Sequence, residues 1–318
     1  MSLYERILSC APDGGGTSEL TRDPLVVARC ATEIATSGEP PPPEVTTAMR
    51  NANAAWGAAP ASAFTAELTL ALVGRDVPLA LQWLHDVGWM ARFLPELHAT
   101  VDFSQEAGRK HKDVWEHTKQ VVQQSVPRPE VRWGALLHDI GKVPTRKFLP
   151  DGAVTFHGHA EVGARMFGPV AQRFGFERPA SKKIRFLILH HLRPGQYQPS
   201  WTDSAVRRFT RELDEYLPDL LDLSRADITS KRPGRRQVLV QQIHDLSVRI
   251  EDLRALDAKQ PPLPTGLGLA IMARFGVPQT KQLGDLIKEL KAACERGELE
   301  ERREDDYYLD WIATRGLV

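Results

Sequence analysis

The chain has 318 residues, with 41 Lys and Arg against 41 Asp and Glu, and 42% of it is hydrophobic. A formal net charge of zero argues against a chain-wide electrostatic grip on nucleic acid, and so much apolar content argues against a disordered chain. Apolar runs break well short of the roughly 18 residues a membrane-spanning helix needs, Met1–Cys10 lacks the basic-then-apolar pattern of a signal peptide, and Cys10, Cys30 and Cys294 lie far apart with no CxxC spacing, so the expectation is a cytoplasmic protein without membrane partner, disulfide framework or zinc ribbon.

From the N-terminus to about His98 the chain is Ala-rich, and short helical patterns are broken at Asp23-Pro24, Pro40–Pro43, Ala59-Pro60, Val77-Pro78 and Leu94-Pro95. Helical periodicity then predicts helices over 113–125, 130–142, 159–174, 180–192 and 203–226. Between the second and third of these, Lys147 to Phe156 sets a Pro150-Asp151-Gly152 turn between two short apolar runs, which predicts a small β-hairpin. Past Pro261-Pro262-Leu263-Pro264, the residues Leu283, Leu286, Ile287, Leu290 and Cys294 share one helix face, and Gly297 stands where a C-terminal cap belongs. The expected fold class is all-α: a helical bundle over 101–245 flanked by helical regions at 1–100 and 246–318, with one hairpin.

Against this frame His117, His138-Asp139, Gly141-Lys142, His157-Gly158-His159, His190-His191 and Asp227 stand out. Neutral imidazole and carboxylate together suit divalent transition metals, and a carboxylate has two oxygens with which to bridge two ions. Residues far apart in sequence near the ends of separate helices are what a metal site in a bundle core looks like. The dipeptide alone is weak, since His85-Asp86 and His244-Asp245 repeat it without the surrounding set and read as structural. The ordered set is what a packed core does not need.

The segments Asp113–Thr118, Arg132–Lys142 and Phe156–Ala164 resemble the HD superfamily of metal-dependent phosphohydrolases, in the form found beside class II bacterial poly(A) polymerases and CCA-adding tRNA nucleotidyltransferases. The resemblance implies metal ligation by His117, His138, Asp139 and Asp227. A second ion would use His159 and one of His190 and His191, with Asp139 bridging; His159 is favoured over His157, and His191 over His190. Lys142 would then face substrate phosphate. Weaker similarity to the neck, body and C-terminal regions of the nucleotidyltransferases runs through Thr21–Cys30, Leu84–Leu97 and Pro264–Leu299.

The chain departs from that pattern in two places. Only about 20 residues precede the neck-like segment, with a faint glycine loop at Asp13–Thr17, so the expectation is a relative without the catalytic head. The positions of the neck motif that reads a nucleotide hold Arg22, Asp23 and Val26, two of them changed. Basic residues gather near the expected site: Lys142, Arg146 and Lys147; Arg193; Lys231, Arg232, Arg235 and Arg236; with Arg109-Lys110-His111-Lys112 as an extension toward a longer ligand. Lys142, Arg146, Arg193 and Arg232 are the expected phosphate contacts, and Lys142 and Asp139 the catalytic pair. The expected function is a phosphodiesterase or phosphatase acting on a nucleotide or an RNA 3′-end phosphate, such as a 2′,3′-cyclic phosphate. It would use one or two divalent ions (Mn, Ni, Co, Fe or Mg) and no specific DNA. The alternatives are a nucleotidyltransferase and a non-catalytic RNA-binding module with a vestigial metal site.

Overall fold

The computed structural model describes all residues except 1, 11–17, 59–60, 104–112, 152, 231 and 260. The fold is all-α: among the described residues the strands Lys147–Phe148 and Val154–Thr155 form one two-stranded antiparallel sheet, and everything else regular is helical. Residues 1–196 and 218–240 make one compact unit, and residues 197–217 and 241–318 a second. No described helix is long and apolar enough to cross a membrane.

The first unit is built around two consecutive helices. Val114–Gln124 is started by Asp113, whose carboxylate accepts from the backbone N–H groups of Trp115 (2.6 Å) and Glu116 (3.3 Å). It buries Val114, Trp115, Thr118, Val121 and Val122 along one face. Pro129–Leu137 begins with a proline whose missing N–H costs nothing in the first turn, and it is buried from Val131 to its end. Around these pack Pro24–Ser37, Ala61–Val73, Val77–Asp86, His159–Phe174 and Arg178–His190. At the foot of the neck-like segment, Asp23 caps Pro24–Ser37 by accepting from Leu25 N–H, and Val26 is buried in the core.

Two glycines decide where the histidine-bearing segments meet. The helix predicted over 130–142 stops at Leu137, and His138–Gly141 forms a turn before the short helix Lys142–Thr145. Apolar periodicity continues through Ile140, so the sequence does not announce this break. The cause is tertiary: a Cβ on Gly141 would collide with the carbonyl oxygen of His159 and lie 2.6 Å from the nitrogen of Gly163. The turn therefore lies backbone against backbone on the start of His159–Phe174. Gly158 ends the preceding loop at φ +76°, a left-handed conformation that glycine adopts without the Cβ penalty, and so lets that helix begin at His159.

The hairpin forms where expected, with Lys147 paired to Thr155 and Phe148 to Val154. Leu149 N–H donates to the Ala153 carbonyl, and Asp151 accepts from Ala153 N–H. The helix predicted over 203–226 is divided into Asp203–Leu213, a 3₁₀ turn at Asp214–Tyr216 and Leu217–Ala226. The new helix starts with Pro218 in its first turn, where a proline is accommodated.

In the second unit Lys281–Arg296 buries Leu283, Leu286, Leu290, Ala293 and Cys294 and ends at Gly297 with φ +75°. It packs with Leu267–Phe275 and Asp305–Arg315 around Ile271, Tyr308 and Ile312. Asp257 ties this unit together, accepting two hydrogen bonds from Arg207 (2.8 and 2.9 Å) and another from Arg302.

Candidate metal centre

Five segments of the first unit deliver side chains to one point. His117 comes from the middle of Val114–Gln124, and His138 and Asp139 from the turn that ends Pro129–Leu137. His159 opens its helix, His191 lies just past the end of Arg178–His190, and Asp227 follows Leu217–Ala226. Four of the five segments thus use a helix end to aim a donor rather than to continue a core face.

Asp139 sits between two groups. Its Oδ2 lies 3.2 Å from His138 Nε2 and 3.5 Å from His117 Nε2, while its Oδ1 lies 3.5 Å from His159 Nε2. The donor atoms of His117, His138 and Asp139 fall within 4.8 Å of one another, and so do those of Asp139, His159 and His191. Asp227 closes the first group, its Oδ1 2.9 Å from His117 Nε2 and 3.4 Å from His138 Nε2. His138, Asp139, His159 and His191 are buried.

The outer nitrogen of every ring is already engaged. The Nδ1 atoms of His138, His159 and His191 lie 2.8, 2.9 and 2.7 Å from the carbonyls of Ala135, Phe156 and Ile188. A carbonyl only accepts, so each Nδ1 carries the proton and each Nε2 is directed at the centre. His117 Nδ1 meets Thr229 Oγ1 at 2.9 Å. The Nε2 atoms then oppose one another at 3.3 Å between His117 and His138 and at 3.2 Å between His159 and His191. Burial lowers the pKa of His159, and burial together with the charge on His138 lowers that of His191 to about 4, so both are neutral and present lone pairs. Two facing lone pairs cannot hydrogen-bond to each other, whereas a cation between them satisfies both. The donor set fits a divalent ion, with the second nitrogen of each ring held as metal-ligating imidazoles are held.

In the first group, burial works against the charge of His138, but the carboxylates of Asp139 and Asp227 override it and hold the ring's pKa up at about 10, so a divalent ion would take the place of the Nε2 proton to bind this ring. Burial would raise both aspartates; His138 above all, with Lys142 beside Asp139 and His117 beside Asp227, holds them well below the usual carboxylate range. The two carboxylates are therefore anionic and available as ligands.

The other expected site residues are distributed around this centre. Lys142 Nζ lies 2.7 Å from Asp139 Oδ2. His190 stands outside both groups, its ring 4.5 Å from that of Phe186, and lines a cavity of ≈ 390 Å³ with Gly158, His159, Glu161 and Arg193. His157 is exposed. Arg146 is on the surface with its guanidinium over the Phe103 and Phe148 rings, and Arg232 is exposed a few residues beyond Asp227. Arg236 donates to Gln124 Oε1 and the Ile228 carbonyl. Lys231, the run Arg109–Lys112 and the glycine loop Asp13–Thr17 lie outside the described residues. The ring of His85 packs beside His98 and Trp115 and takes no part in the cluster; His244 is exposed. Sequence reasoning passed over Thr229, whose one signal is a hydroxyl two residues after Asp227, and Ser224, whose hydroxyl donates to the His191 carbonyl.

Comparison with known proteins agrees with this picture. The HD domain family matches residues 98–232. The A-adding tRNA nucleotidyltransferase of Deinococcus radiodurans is 30% identical over 293 residues, covering 88% of this chain and 66% of that protein. The CC-adding tRNA nucleotidyltransferase of Thermus thermophilus is 30% identical over 249 residues, 76% of this chain and 55% of that protein. The multifunctional CCA protein of Pseudomonas syringae pv. syringae is 27% identical over 275 residues, 83% of this chain and 63% of that protein. This chain thus spans a little over half to just under two thirds of the length of these relatives. It contains an HD domain and is homologous over most of its length to the tRNA nucleotidyltransferases, in agreement with the body and HD region of that family.

Proposed function

We propose that the chain is a metal-dependent phosphohydrolase acting on the phosphate of a nucleotide or an RNA end, a 2′,3′-cyclic phosphate in particular. The observation that carries this reading is Asp139, whose two carboxylate oxygens face different histidine groups, Oδ2 toward His117 and His138 and Oδ1 toward His159. One or two divalent ions would be held by His117, His138, Asp139 and Asp227 on one side and by Asp139, His159 and His191 on the other. Borderline imidazole donors favour Mn, Ni, Co or Fe over Mg.

Such an ion supplies a polarised phosphoryl oxygen and a water whose pKa falls toward 7. The rest belongs to the chain. The backbone carbonyls behind His138, His159 and His191 and the hydroxyl of Thr229 fix the rings, so no reorientation is needed during reaction. The Lys142 ammonium, 2.7 Å from Asp139, adds positive charge where the phosphate would gain negative charge. Arg193 and His190 line the cavity that His159 also borders, a place for the phosphate and its leaving group. Opening a cyclic ester would form a bond from water oxygen to phosphorus and break one ribose O–P bond; a protonated ring of His190, or of His157, would give a proton to the departing alkoxide, and the proton released by the attacking water would pass through solvent to restore that ring.

The relatives are nucleotidyltransferases, and their names bring tRNA forward as the source of the substrate. The described residues carry only a two-stranded sheet, which favours hydrolysis at the HD centre over nucleotidyl transfer as the activity of this stretch of chain. The test is release of product from bis-p-nitrophenyl phosphate and from 2′,3′-cyclic nucleotides by protein loaded with Mn²⁺, Ni²⁺ or Co²⁺. Turnover that a chelator abolishes is expected. Metal-loaded protein inert toward cyclic, mono- and diester nucleotides would transfer the reading to a non-catalytic RNA-binding module.

A further inference from the structure

We propose that the hairpin is a nucleobase-stacking arm, with Phe148 as the platform for a base near the end of a single-stranded RNA. The inference rests on the phosphohydrolase reading only in placing the strand's terminal phosphate at the metal centre.

Phe148 is 64% exposed and its neighbour Leu149 is 41% exposed. An aromatic ring left in water at the tip of a two-stranded hairpin does not serve the hairpin, whose register is held by backbone pairing and by the Leu149-to-Ala153 hydrogen bond. The ring is also held in place from below. The Arg146 guanidinium lies 5.2 Å from the Phe148 centroid and 4.1 Å from that of buried Phe103. Phe103 packs against Phe156 at 6.2 Å, and Lys142 Nζ lies 5.7 Å above Phe156 while contacting Asp139. Cations and aromatic rings therefore form one continuous run from the metal centre outward, Lys142, the adjacent rings of Phe156 and Phe103, Arg146 and the exposed ring of Phe148.

An exposed ring with cations beside it is the chemistry of single-strand recognition. The ring takes a base face, and the neighbouring cations take the backbone phosphates. The hairpin and the segment leading into it contribute Lys142, Arg146 and Lys147 against one acidic residue, Asp151, in a chain whose net charge is zero. A protein partner matched to a hydrophobic tip would not call for that excess of positive charge. The arm would separate a strand end from a mononucleotide, which has no neighbouring base to stack.

Fluorescence anisotropy with a short single-stranded RNA ending in a 3′-hydroxyl tests this directly. Such an RNA has no terminal phosphate to hydrolyse, so its affinity reads the arm whether or not the phosphohydrolase reading holds. Phe148→Ala weakens binding about tenfold or more, and Phe148→Trp restores it. An abasic strand of equal length binds the wild type as weakly as the intact strand binds Phe148→Ala. The melting temperature of Phe148→Ala stays at the wild-type value, because the ring is mostly in solvent. Equal RNA affinity of wild type and Phe148→Ala would overturn the inference and leave the ring to protein contact. A loss identical on intact and abasic strands would overturn it as well.

Discussion

His159 and His191 oppose each other Nε2 to Nε2 at 3.2 Å, each with its Nδ1 proton already given to a carbonyl of its own segment. Neither ring can turn to relieve the contact without leaving a buried N–H unsatisfied, which costs about 1–3 kcal/mol. The backbone thus preorganises a pair of lone pairs for a cation, and Asp139 Oδ1, 3.5 Å from His159 Nε2, completes the set.

Asp139→Ala empties the centre while the protein stays folded. Both histidine groups depend on that one carboxylate, and its removal leaves any two ions unscreened from each other. Metal analysis of protein purified without chelator reads the result. His85→Ala, whose ring packs beside His98 and Trp115, retains wild-type metal content. Identical metal content in the two variants would mean that the centre lies elsewhere.

Thr229→Val reaches the metal through another residue. It removes the oxygen that His117 Nδ1 meets at 2.9 Å and leaves the ring free to rotate. Metal affinity falls roughly 10–100-fold, the usual cost of losing such a support. Thr229→Ser restores the hydroxyl and should recover most of it. Competition with a chromophoric chelator measures both, and unchanged affinity in the valine variant would remove Thr229 from the site.

Lys142→Ala keeps its metal, because an ammonium has no lone pair to give. Turnover on a phosphodiester falls by about 10²-fold, in line with losing one charge-stabilising group at a transition state. Joint loss of metal and turnover would reassign Lys142 to holding Asp139, which it contacts at 2.7 Å.

Glu96 and Arg173 form a two-pronged pair, with N–O distances of 2.7 and 2.9 Å, linking Pro95–His98 to His159–Phe174. Burial opposes ionisation of Glu96, but the Arg173 hydrogen bonds win and its pKa is lowered. A carboxylate with a depressed folded pKa stabilises fully above its unfolded pKa of about 4.3, and this is lost as pH falls through the folded value. Glu96→Gln therefore costs about 1 kcal/mol at pH 7, after allowance for the partly exposed arginine, and the deficit closes below about pH 4. Urea titrations at neutral and acid pH check the sign. A deficit that widens in acid would contradict it.

Much of this was legible in the residues because patterning and order carry it. Two short apolar runs on either side of Pro150-Asp151 mark the hairpin, and the face of Leu283, Leu286 and Leu290 with Gly297 beyond it marks a capped helix. The order His117, His138-Asp139, His157-Gly158-His159, His190-His191, Asp227 contains the residues that the fold brings together, with His157 and His190 standing outside the two groups. Contacts between distant segments were not legible. The break after Leu137 exists because Gly141 must lie on the backbone of His159 and Gly163, against a periodicity that would continue the helix. The different placements of His190 and His191 are set by where one helix ends, and such ends are the least readable feature of a sequence. Thr229 is invisible because its role depends on a ring more than a hundred residues earlier, at His117.

The central claim is that the two histidine groups joined by Asp139 hold divalent metal for phosphoester hydrolysis. Turnover of a 2′,3′-cyclic nucleotide, followed against bound Mn²⁺ per chain during reloading of stripped protein, tests it most directly. Activity should rise with occupancy, saturate when the centre is full and be absent from Asp139→Ala at every metal concentration. A centre that fills with metal yet never turns over cyclic, monoester or diester nucleotides would contradict it.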